Sequence, residues 1–277
     1  MVLANIRELI RRKRRQSSFL NIVLFEFQDS LRSRWLFVYA TLVFLFSFFL
    51  LYLSSGSDAD VAASLLNFIL LIVPLFLLVY GTLSFHSSLS FQRVILALGI
   101  SRIVLYLGQY TGRLFGLLPG FAVGLILAFI LGGNIEAAGS LGLILLYGLL
   151  LNSIFLAVAF FISQLSERLE ILMASAMGIW FVLYILFDSI LLLLVVFMGD
   201  FPLESVLLGL TLFNPIDTMR AIVLMQGNLQ SLMTYSSAIY ATVLSGWVGV
   251  VVGTVVLIVQ ATVAAYLGLR LYSKRDL

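Results

Sequence analysis

The sequence predicts an all-α integral membrane protein with six transmembrane helices, and three observations support that prediction. Hydrophobic residues make up 62% of the 277 residues and charged residues only 10%, whereas a soluble domain has about 25% charged residues. Six stretches are apolar over the roughly 20 residues that a helix needs to cross a bilayer. If these stretches cross the membrane in alternating directions, fifteen of the sixteen Lys and Arg residues lie on the same face of the membrane.

The chain begins with a basic arm, "RELIRRKRRQ", followed by an amphipathic stretch before the first long apolar run. This order differs from that of a secretory signal peptide. We expect residues 1–34 to form a cytoplasmic arm with an amphipathic helix leading into the first span. Residues 35–267 are expected to form the membrane domain and residues 268–277 a cytoplasmic tail. The arm has two interpretations, attraction to anionic membrane lipid or a specific protein contact.

The predicted spans are Trp35–Leu53, Val61–Leu83, Leu114–Leu131, Leu141–Ser163, Ala176–Met198 and Gly246–Leu267. An even number of spans places both termini on the same side. The basic residues lie in the arm, in the loops after spans 2 and 4 and in the tail, and only Arg220 lies opposite. Because cytoplasmic loops carry an excess of Lys and Arg, we expect both termini in the cytoplasm and the chain in the cytoplasmic (inner) membrane.

The loop between spans 2 and 3, Ser84–Arg113, is long and still apolar. It is expected to form one or two helices with a turn at "LGIS", where Gly99 and Ser101 can stop one helix and cap the next. An apolar cytoplasmic helix has to pack on its own spans or on another protein, so this segment is predicted to be a docking helix. The candidate docking residues are Gln92, Arg93, Leu98, Ser101 and Arg102.

The connection between spans 5 and 6, Gly199–Ser245, contains "FNPIDTMRAIVLMQG". Asn214 is a favourable N-cap, Pro215 suits the first helical position, and Asp217 can reach back from the third. The predicted helix is too short to cross the membrane, so we expect an outer-face segment that dips into the outer leaflet or packs across the bundle. Asn214, Pro215, Asp217 and Arg220 are the candidate residues for coupling to an outer partner.

Span 5 carries a carboxylate, Asp188, near the middle of "WFVLYILFDSILLLLVVF". A charged side chain at the bilayer centre costs about 2.5–3.5 kcal/mol on insertion scales. Two interpretations follow. Asp188 is either a structural carboxylate hydrogen-bonded to a neighbouring span, with Asn152 of span 4 as the candidate partner, or it lies on a central pathway or at a dimer seam.

Two spans carry small residues at four-residue spacing, which lets helix backbones approach closely. Packing within one bundle and packing between subunits are both consistent with this pattern. The residues are Gly112, Gly116, Gly120 and Gly124 around span 3, and Gly249, Gly253, Ala261 and Ala265 in span 6.

The sequence lacks the residues and motifs of disulfides, of common metal sites and of one class of nucleotide-binding site. It has no cysteine and one histidine, which excludes disulfides, thiolate metal sites and a histidine cluster. It contains no G-x-x-x-x-G-K-[ST] phosphate loop. We therefore predict no catalytic, cofactor-binding or metal-binding residues and no nucleic-acid partner, and we expect a non-enzymatic component of a larger machine.

Several segments resemble ABC permeases of the exporter type. "FEFQDSLRSRWLFVYATLVF" (Phe25–Phe44) resembles their amphipathic helix and first span, and "ALGISRIVLYLGQYTGR" (Ala97–Arg113) resembles their docking segment. "IWFVLYILFDSILLL" followed by "LFNPIDTMRAIVL" is most similar to NosY-type permeases of nitrous oxide reductase maturation transporters. In one respect the chain departs from the family, because "SFHSSLSFQR" replaces an acidic, Gly-containing stretch before the docking segment.

The resemblance implies a permease that pairs with a second permease copy and with cytoplasmic ATP-binding-cassette ATPase subunits, which bind the ATP and Mg. In the nitrous oxide reductase branch it also implies a periplasmic partner and a role in copper–sulfur site maturation. The alternative is a non-transporting membrane scaffold that anchors a multi-subunit complex. A secondary carrier would show inverted repeats and several buried ionisable residues, and the sequence suggests one buried carboxylate and no repeat.

Overall fold

The computed structural model describes residues 18–53, 58–132, 138–198, 204–226 and 246–275, and the regular structure in these ranges is helical. The helices are α1 (residues 18–32), α2 (Arg34–Leu53), α3 (Asp58–Ser87), α4 (Leu89–Ala97), α5 (Arg102–Gly132), α6 (Ala138–Ile162), α7 (Leu169–Phe181), α8 (Phe187–Met198), α9 (Glu204–Phe213), α10 (Pro215–Gln226) and α11 (Gly246–Lys274). A π-helical turn, Val182–Leu186, joins α7 to α8.

Six helices in the described ranges are long and apolar enough to cross a membrane, which confirms the predicted number. They are α2, α3, α5, α6, the continuous α7–α8 and α11. The short helices α9 and α10 satisfy the same test only together, and they are bent by 106° at their junction. Such a pair is either a broken span or a re-entrant segment.

The core of the bundle lies on α3 and α6, where 61% of the most apolar window is buried. Helix α2 packs on α5, α11 on α6, and α7 on α3. Span 5, formed by α7 through α8, is different, because only 6% of its window is buried within the chain. Its apolar side chains face outward, where lipid tails are as apolar as the side chains themselves.

A proline lies near the middle of α3, and a neighbouring helix forms a hydrogen bond to the turn that precedes it. Pro74 has no N–H, so it cannot complete the hydrogen-bond ladder of the preceding turn. Trp180 on α7 donates its indole N–H to the Leu71 carbonyl oxygen in that turn at 3.1 Å. The carbonyl that loses its N–H partner is that of Leu70, four residues before Pro74, so the Trp180 bond lies one residue from the group that the proline frees.

Helices α1 and α5 fit together through a row of glycines. Ile22 lies against Gly108, Glu26 against Gly112, and Ser30 against Gly116. A Cβ atom on Gly112 would lie 2.6 Å from the Glu26 Cβ and 2.8 Å from the Val23 carbonyl oxygen, so only glycine fits there without a shift. The span 3 glycines therefore pack within the bundle, as one of the two interpretations predicted.

The small residues of span 6 also lie inside the chain. Gly249, Gly253 and Ala261 are buried, and α11 packs mainly on α6. Ala265 lies against the core from a partly buried position. Packing within the bundle thus accounts for this second row of small residues as well.

The segment Ser84–Arg113 contains the predicted helices and turn. Helix α4 ends before Gly99, whose φ of +80° is readily adopted by glycine, and the Ser101 hydroxyl oxygen accepts the Val104 N–H at 3.4 Å. The second predicted helix begins at Arg102, directly after Ser101, and it continues without a break into span 3, so that α5 is one helix from Arg102 to Gly132. Helix α1 packs on the glycine face of this cytoplasmic extension.

Candidate functional site

The candidate site is a charged junction between span 5 and α10. One guanidinium nitrogen of Arg220, Nη1, lies 2.9 Å from Asp188 Oδ2 and 2.9 Å from Asp217 Oδ1. The side chains of Arg220 and Asp217 are 6% and 2% exposed, whereas that of Asp188 is 36% exposed. A single buried guanidinium therefore binds two carboxylates, which come from two different helices.

The first turn of α10 is built as the sequence predicted. The Asn214 carboxamide oxygen accepts the Ile216 N–H at 3.1 Å, which caps the helix. Pro215 is the first helical residue, and Asp217 reaches back to accept a hydrogen bond from Asn214 Nδ2 at 2.8 Å. The cap and the ion pair share the Asp217 carboxylate, so the start of α10 and the orientation of Arg220 are fixed together.

The π-helical turn of span 5 ends at Leu186, two residues before Asp188. Within that turn the Leu183 carbonyl oxygen accepts a hydrogen bond from Asn214 Nδ2 at 2.8 Å. Single π turns inside α-helices occur frequently at functional sites. Two kinds of contact therefore join α10 to span 5, the Arg220–Asp188 ion pair and this amide hydrogen bond.

Helix α11 also stabilises the bend between α9 and α10. Gln260 Nε2 donates to the carbonyl oxygens of Leu212 at 2.7 Å and Phe213 at 3.0 Å, which are the last two residues of α9. The Thr218 hydroxyl donates to the Thr211 carbonyl oxygen at 2.9 Å. The carbonyl groups left open by the end of α9 are thus satisfied by side chains, and the 106° bend is stabilised.

The structure brings together residues that the sequence had placed in two separate groups. Asp188 was predicted as a pathway or dimer-seam residue and Arg220 as an outer-face coupling residue, and the two form an ion pair. The charge pattern contained this signal, because Arg220 is the one basic residue on its predicted side of the membrane and Asp188 is a carboxylate within a span.

One prediction agrees in part and one needs correction. Asn214, Pro215, Asp217 and Arg220 are buried in the bundle, which agrees with the predicted packing across the bundle but leaves no exposed patch for direct contact with an outer partner. Asn152 is not the partner of Asp188. Its side chain accepts the Tyr39 hydroxyl at 2.8 Å and donates to the Gly148 carbonyl oxygen at 2.8 Å.

A second buried cluster, which the sequence did not predict, joins α1 to α5. Arg113 Nε lies 2.9 Å from Glu26 Oε2, and Gln109 Nε2 donates to Glu26 Oε1 at 2.9 Å. The Arg113 guanidinium also lies over the Phe160 ring, 5.5 Å from its centre. The available signal was spacing, because Glu26 falls on the same helix face as the buried Ile22 and therefore needs a partner.

The five predicted docking residues have different environments. Arg93 and Leu98 are exposed, and Ser101 and Arg102 are partly buried. Gln92 is fully buried and donates Nε2 to the Ser88 hydroxyl at 2.9 Å, so it does not lie on the surface as expected. It falls on the inner face of α4, which the short apolar pattern alone did not distinguish from the outer face.

The end of α11 and the next residue, Arg275, contact the end of the bundle that carries α4. Arg102 Nη1 donates to the carbonyl oxygens of Ser273 at 2.9 Å and Arg275 at 2.6 Å. Arg275 in turn donates to the carbonyl oxygens of Ser163 at 3.1 Å and Ser166 at 3.3 Å. The end of α11 and Arg275 therefore connect the start of α5 with the loop between α6 and α7.

Comparison with known proteins gives two similar sequences and no matching family model. The chain is 28% identical over 214 residues to the probable ABC transporter permease protein NosY of Pseudomonas aeruginosa, covering 71% of this chain and 78% of that protein. It is 27% identical over 221 residues to the protein of the same name from Stutzerimonas stutzeri, covering 73% and 79% respectively. The predicted resemblance to NosY-type permeases is confirmed at this level of similarity.

Proposed function

We propose that this chain is the transmembrane permease subunit of an ATP-binding-cassette transporter, and that it couples a separate ATPase to export or to a partner outside the cytoplasm. The observation that supports this most strongly is the similarity, over more than two thirds of the chain, to two probable ABC transporter permeases. The six spans agree with it. So does the sequence, which contains no phosphate loop of its own.

In this proposal the ATPase meets the chain at α4. Movement imposed there would pass directly into the membrane, because α4 lies between α3 and α5 and both are continuous helices that reach the opposite side of the bundle. Helix α1 would move with α5 through the glycine row and the Glu26–Arg113 pair. The N-terminal helix and span 3 would therefore act as one rigid body.

The charged junction would respond at the other end. Arg220 can keep one carboxylate while it releases the other, so span 5 can shift against α10 without leaving the guanidinium uncompensated. The π turn next to Asp188 gives span 5 a place where its helical register can change. We propose that this junction senses substrate or subunit movement, and that α10 transmits the change indirectly to an outer partner.

The finer proposal concerns the purpose of the transporter. The similarity to NosY proteins supports a role in metalloenzyme maturation, specifically of a copper–sulfur site. Deletion of the gene should then leave such an enzyme present in normal amount but short of copper and sulfide. Normal metal content in the deletion strain would refute this role and leave the general permease proposal standing.

The general proposal is tested by isolating the chain with its natural partners from native membranes and identifying them by mass. We expect a second permease copy and an ATP-binding subunit, and ATP hydrolysis by the isolated complex. The scaffold alternative predicts a complex without an ATP-binding subunit, so the same preparation separates the two functions.

The proposed orientation has its own test, which is simple because the chain has no native cysteine. Single cysteines placed at Ser57, Glu136 and Asn228 should react with an impermeant thiol reagent added outside intact cells. Those placed at Ser166 and Ser273 should react only after the cells are opened. Labelling of the Ser166 variant from outside would refute the six-span orientation.

A further inference from the structure

Helix α11 makes polar contacts with other helices at two widely separated positions. It is one unbroken helix from Gly246 to Lys274. Gln260 lies at its middle and Ser273 in its last turn, so about 20 Å of helix separates the two residues. Rigid helices can carry energetic coupling between distant sites, and the contacts at both positions belong to the same rigid element.

The end of α11 is held by the start of α5 and by the loop between α6 and α7. Arg102 donates to the carbonyl oxygens of Ser273 at 2.9 Å and Arg275 at 2.6 Å. Arg275 donates to the carbonyl oxygens of Ser163 at 3.1 Å and Ser166 at 3.3 Å. We call these five residues the α11 clamp. Because Arg102 is the first residue of α5, the clamp is attached to the turn that follows α4.

An aromatic cluster fixes the same end of α11 to three further helices. The fully buried Tyr272 ring lies 5.5 Å from the Tyr106 ring of α5 and 5.9 Å from the Phe85 ring of α3. Both of those rings pack on Phe160 of α6. Gly268, one turn earlier on α11, leaves the space that the Tyr106 hydroxyl occupies. Since close-packed interiors transmit strain, a shift of α3 or α5 at this end displaces α11 as well.

At the middle of α11, Gln260 contacts the bend between α9 and α10. Its Nε2 group donates to the carbonyl oxygens of Leu212 at 2.7 Å and Phe213 at 3.0 Å. An amide without partners is unfavourable away from water, so these bonds favour movement of the bend together with α11. The next residue, Asn214, binds the Asp217 carboxylate of the charged junction, which places the contact one residue from that site.

We propose that Gln260 is a positioning residue for the charged junction. A displacement of the α11 clamp moves α11, and Gln260 passes the movement to the start of α10 and so to the ion pair of Arg220 with Asp188. This goes beyond the route through α3 and α5 in the proposed function, because it gives the junction a separate mechanical connection. It is a property of the folded chain and requires no ATPase, so its failure would leave the proposed function standing.

The experiment uses the full chain in lipid nanodiscs. The chain has no native cysteine, so a nitroxide label attaches only to an introduced cysteine, and its spectrum separates mobile from immobile label. One chain carries the label in place of Phe213 at the bend, where the side chain is 72% exposed. A second carries it at the exposed Ser273 of the clamp. A third carries it at Val123 on α5, which is 50% exposed and is the control outside both sites.

Each site is then disturbed separately. Arg275→Gln neutralises and shortens the side chain that binds the loop between α6 and α7. Arg270→Gln is the matched control, because it removes the same charge from an exposed arginine of the same helix. Gln260→Leu is of similar size and removes both hydrogen bonds to the bend.

We expect Arg275→Gln to raise the ratio of mobile to immobile label at Phe213 by about 5-fold or more, the lower end of typical coupling between sites. Arg270→Gln should leave that ratio unchanged. Because coupling is reciprocal, Gln260→Leu should raise the same ratio at Ser273, so either direction is sufficient for the test if the other variant does not fold.

The role of Gln260 itself is tested by combining the two changes. In a Gln260→Leu background, Arg275→Gln should add nothing at Phe213, and full additivity would overturn the assignment of Gln260 as the connection. Unchanged spectra in both directions would overturn the coupling through α11. An equal change at Val123 would also overturn it, because that result shows a general loosening of the bundle.

Discussion

Two buried charged clusters in this chain are built from the same chemistry and differ in their surroundings. The α1–α5 cluster pairs one guanidinium, Arg113, with one carboxylate, Glu26, and their side chains are 5% and 4% exposed. It lies between helices that interlock through glycines. The span 5 junction pairs one guanidinium, Arg220, with two carboxylates. It lies beside a π turn and a 106° bend, on a span that is little buried in the chain.

The comparison shows that a buried pair of a guanidinium and a carboxylate can be fixed in one environment and adjustable in another. Arg113 has a single carboxylate partner in the described part of the chain, and the backbones on both sides cannot separate without opening the glycine row. Arg220 can lose either carboxylate and keep the other. Breaking a buried pair leaves an uncompensated charge, which is far more costly than the pair itself is stabilising, so the second carboxylate makes movement at the junction less costly.

The largest effect is expected from breaking the α1–α5 cluster. The change Glu26→Gln keeps the shape of the side chain and leaves the buried Arg113 without a countercharge. We expect the free energy of unfolding to fall by about 3–5 kcal/mol. It is measured in mixed micelles by raising the fraction of a denaturing detergent until the protein unfolds. The double change of Glu26 and Arg113 to Leu and Met is the control and should recover most of the loss. An unchanged unfolding curve for Glu26→Gln would contradict a fixed ion pair.

The next effect is expected only when both carboxylates of the span 5 junction are removed together. Asp188→Asn combined with Asp217→Asn leaves Arg220 uncompensated and should cost about 3 kcal/mol. Each single change should cost much less, so the double-mutant cycle is strongly non-additive. Strict additivity of the two single changes would show that Arg220 does not share its charge between them.

An intermediate loss of stability is expected from a substitution in the row of glycines on α5. Gly112→Ala places a methyl group against Glu26 and the α1 backbone, and overpacking of this kind costs about 1–3 kcal/mol. Gly178→Ala is the matched control, because a Cβ at Gly178 on α7 would have no atom within 4 Å. Thermal unfolding should show a lower midpoint for the first variant only. Equal midpoints would mean that α1 is not seated tightly on α5.

The smallest effect on stability is expected from Asp188→Asn alone. Arg220 keeps Asp217, and the loss should be about 0.5–1.5 kcal/mol, which is the size of one ordinary hydrogen bond. The informative measurement is made on the complex that the proposed function predicts, by comparing ATP hydrolysis and the downstream activity side by side. Normal assembly with lost activity would identify Asp188 as a residue of the moving junction. Full activity of both Asp188→Asn and Asp188→Leu would refute that role.

The sequence predicted the spans well because their signal is local. Each is an apolar run of sufficient length. Spans 1, 2 and 4 begin and end within a few residues of their predicted limits, and spans 3, 5 and 6 extend beyond one predicted end as continuous helices. The helix that begins at Arg102 was predicted from the turn at "LGIS", but its continuation into span 3 as one helix was not, since glycine and polar residues weaken the apolar pattern there. The packing of this extension against α1 was not predictable either, because α1 lies two spans away in the sequence.

The candidate site was predictable only in part, for a similar reason. The cap formed by Asn214, Pro215 and Asp217 lies within four consecutive residues, and the sequence was sufficient to predict it. The pairing of Asp188 with Arg220 depends on a bend that folds α10 into the bundle, and no local pattern specifies that angle. The burial of Gln92 likewise depends on which face of α4 meets the spans.

The glycine row also has a consequence for the order in which the chain is made. Glu26 and its partner Arg113 are 87 residues apart, so α1 leaves the ribosome long before the helix that will neutralise its buried carboxylate. Until Arg113 has been synthesised, Glu26 cannot form the ion pair that it has in the folded chain, and burial of an unpaired carboxylate is costly. We therefore expect α1 to pack on α5 late in biogenesis, and a nascent chain that stops before Arg113 to leave α1 accessible to proteases.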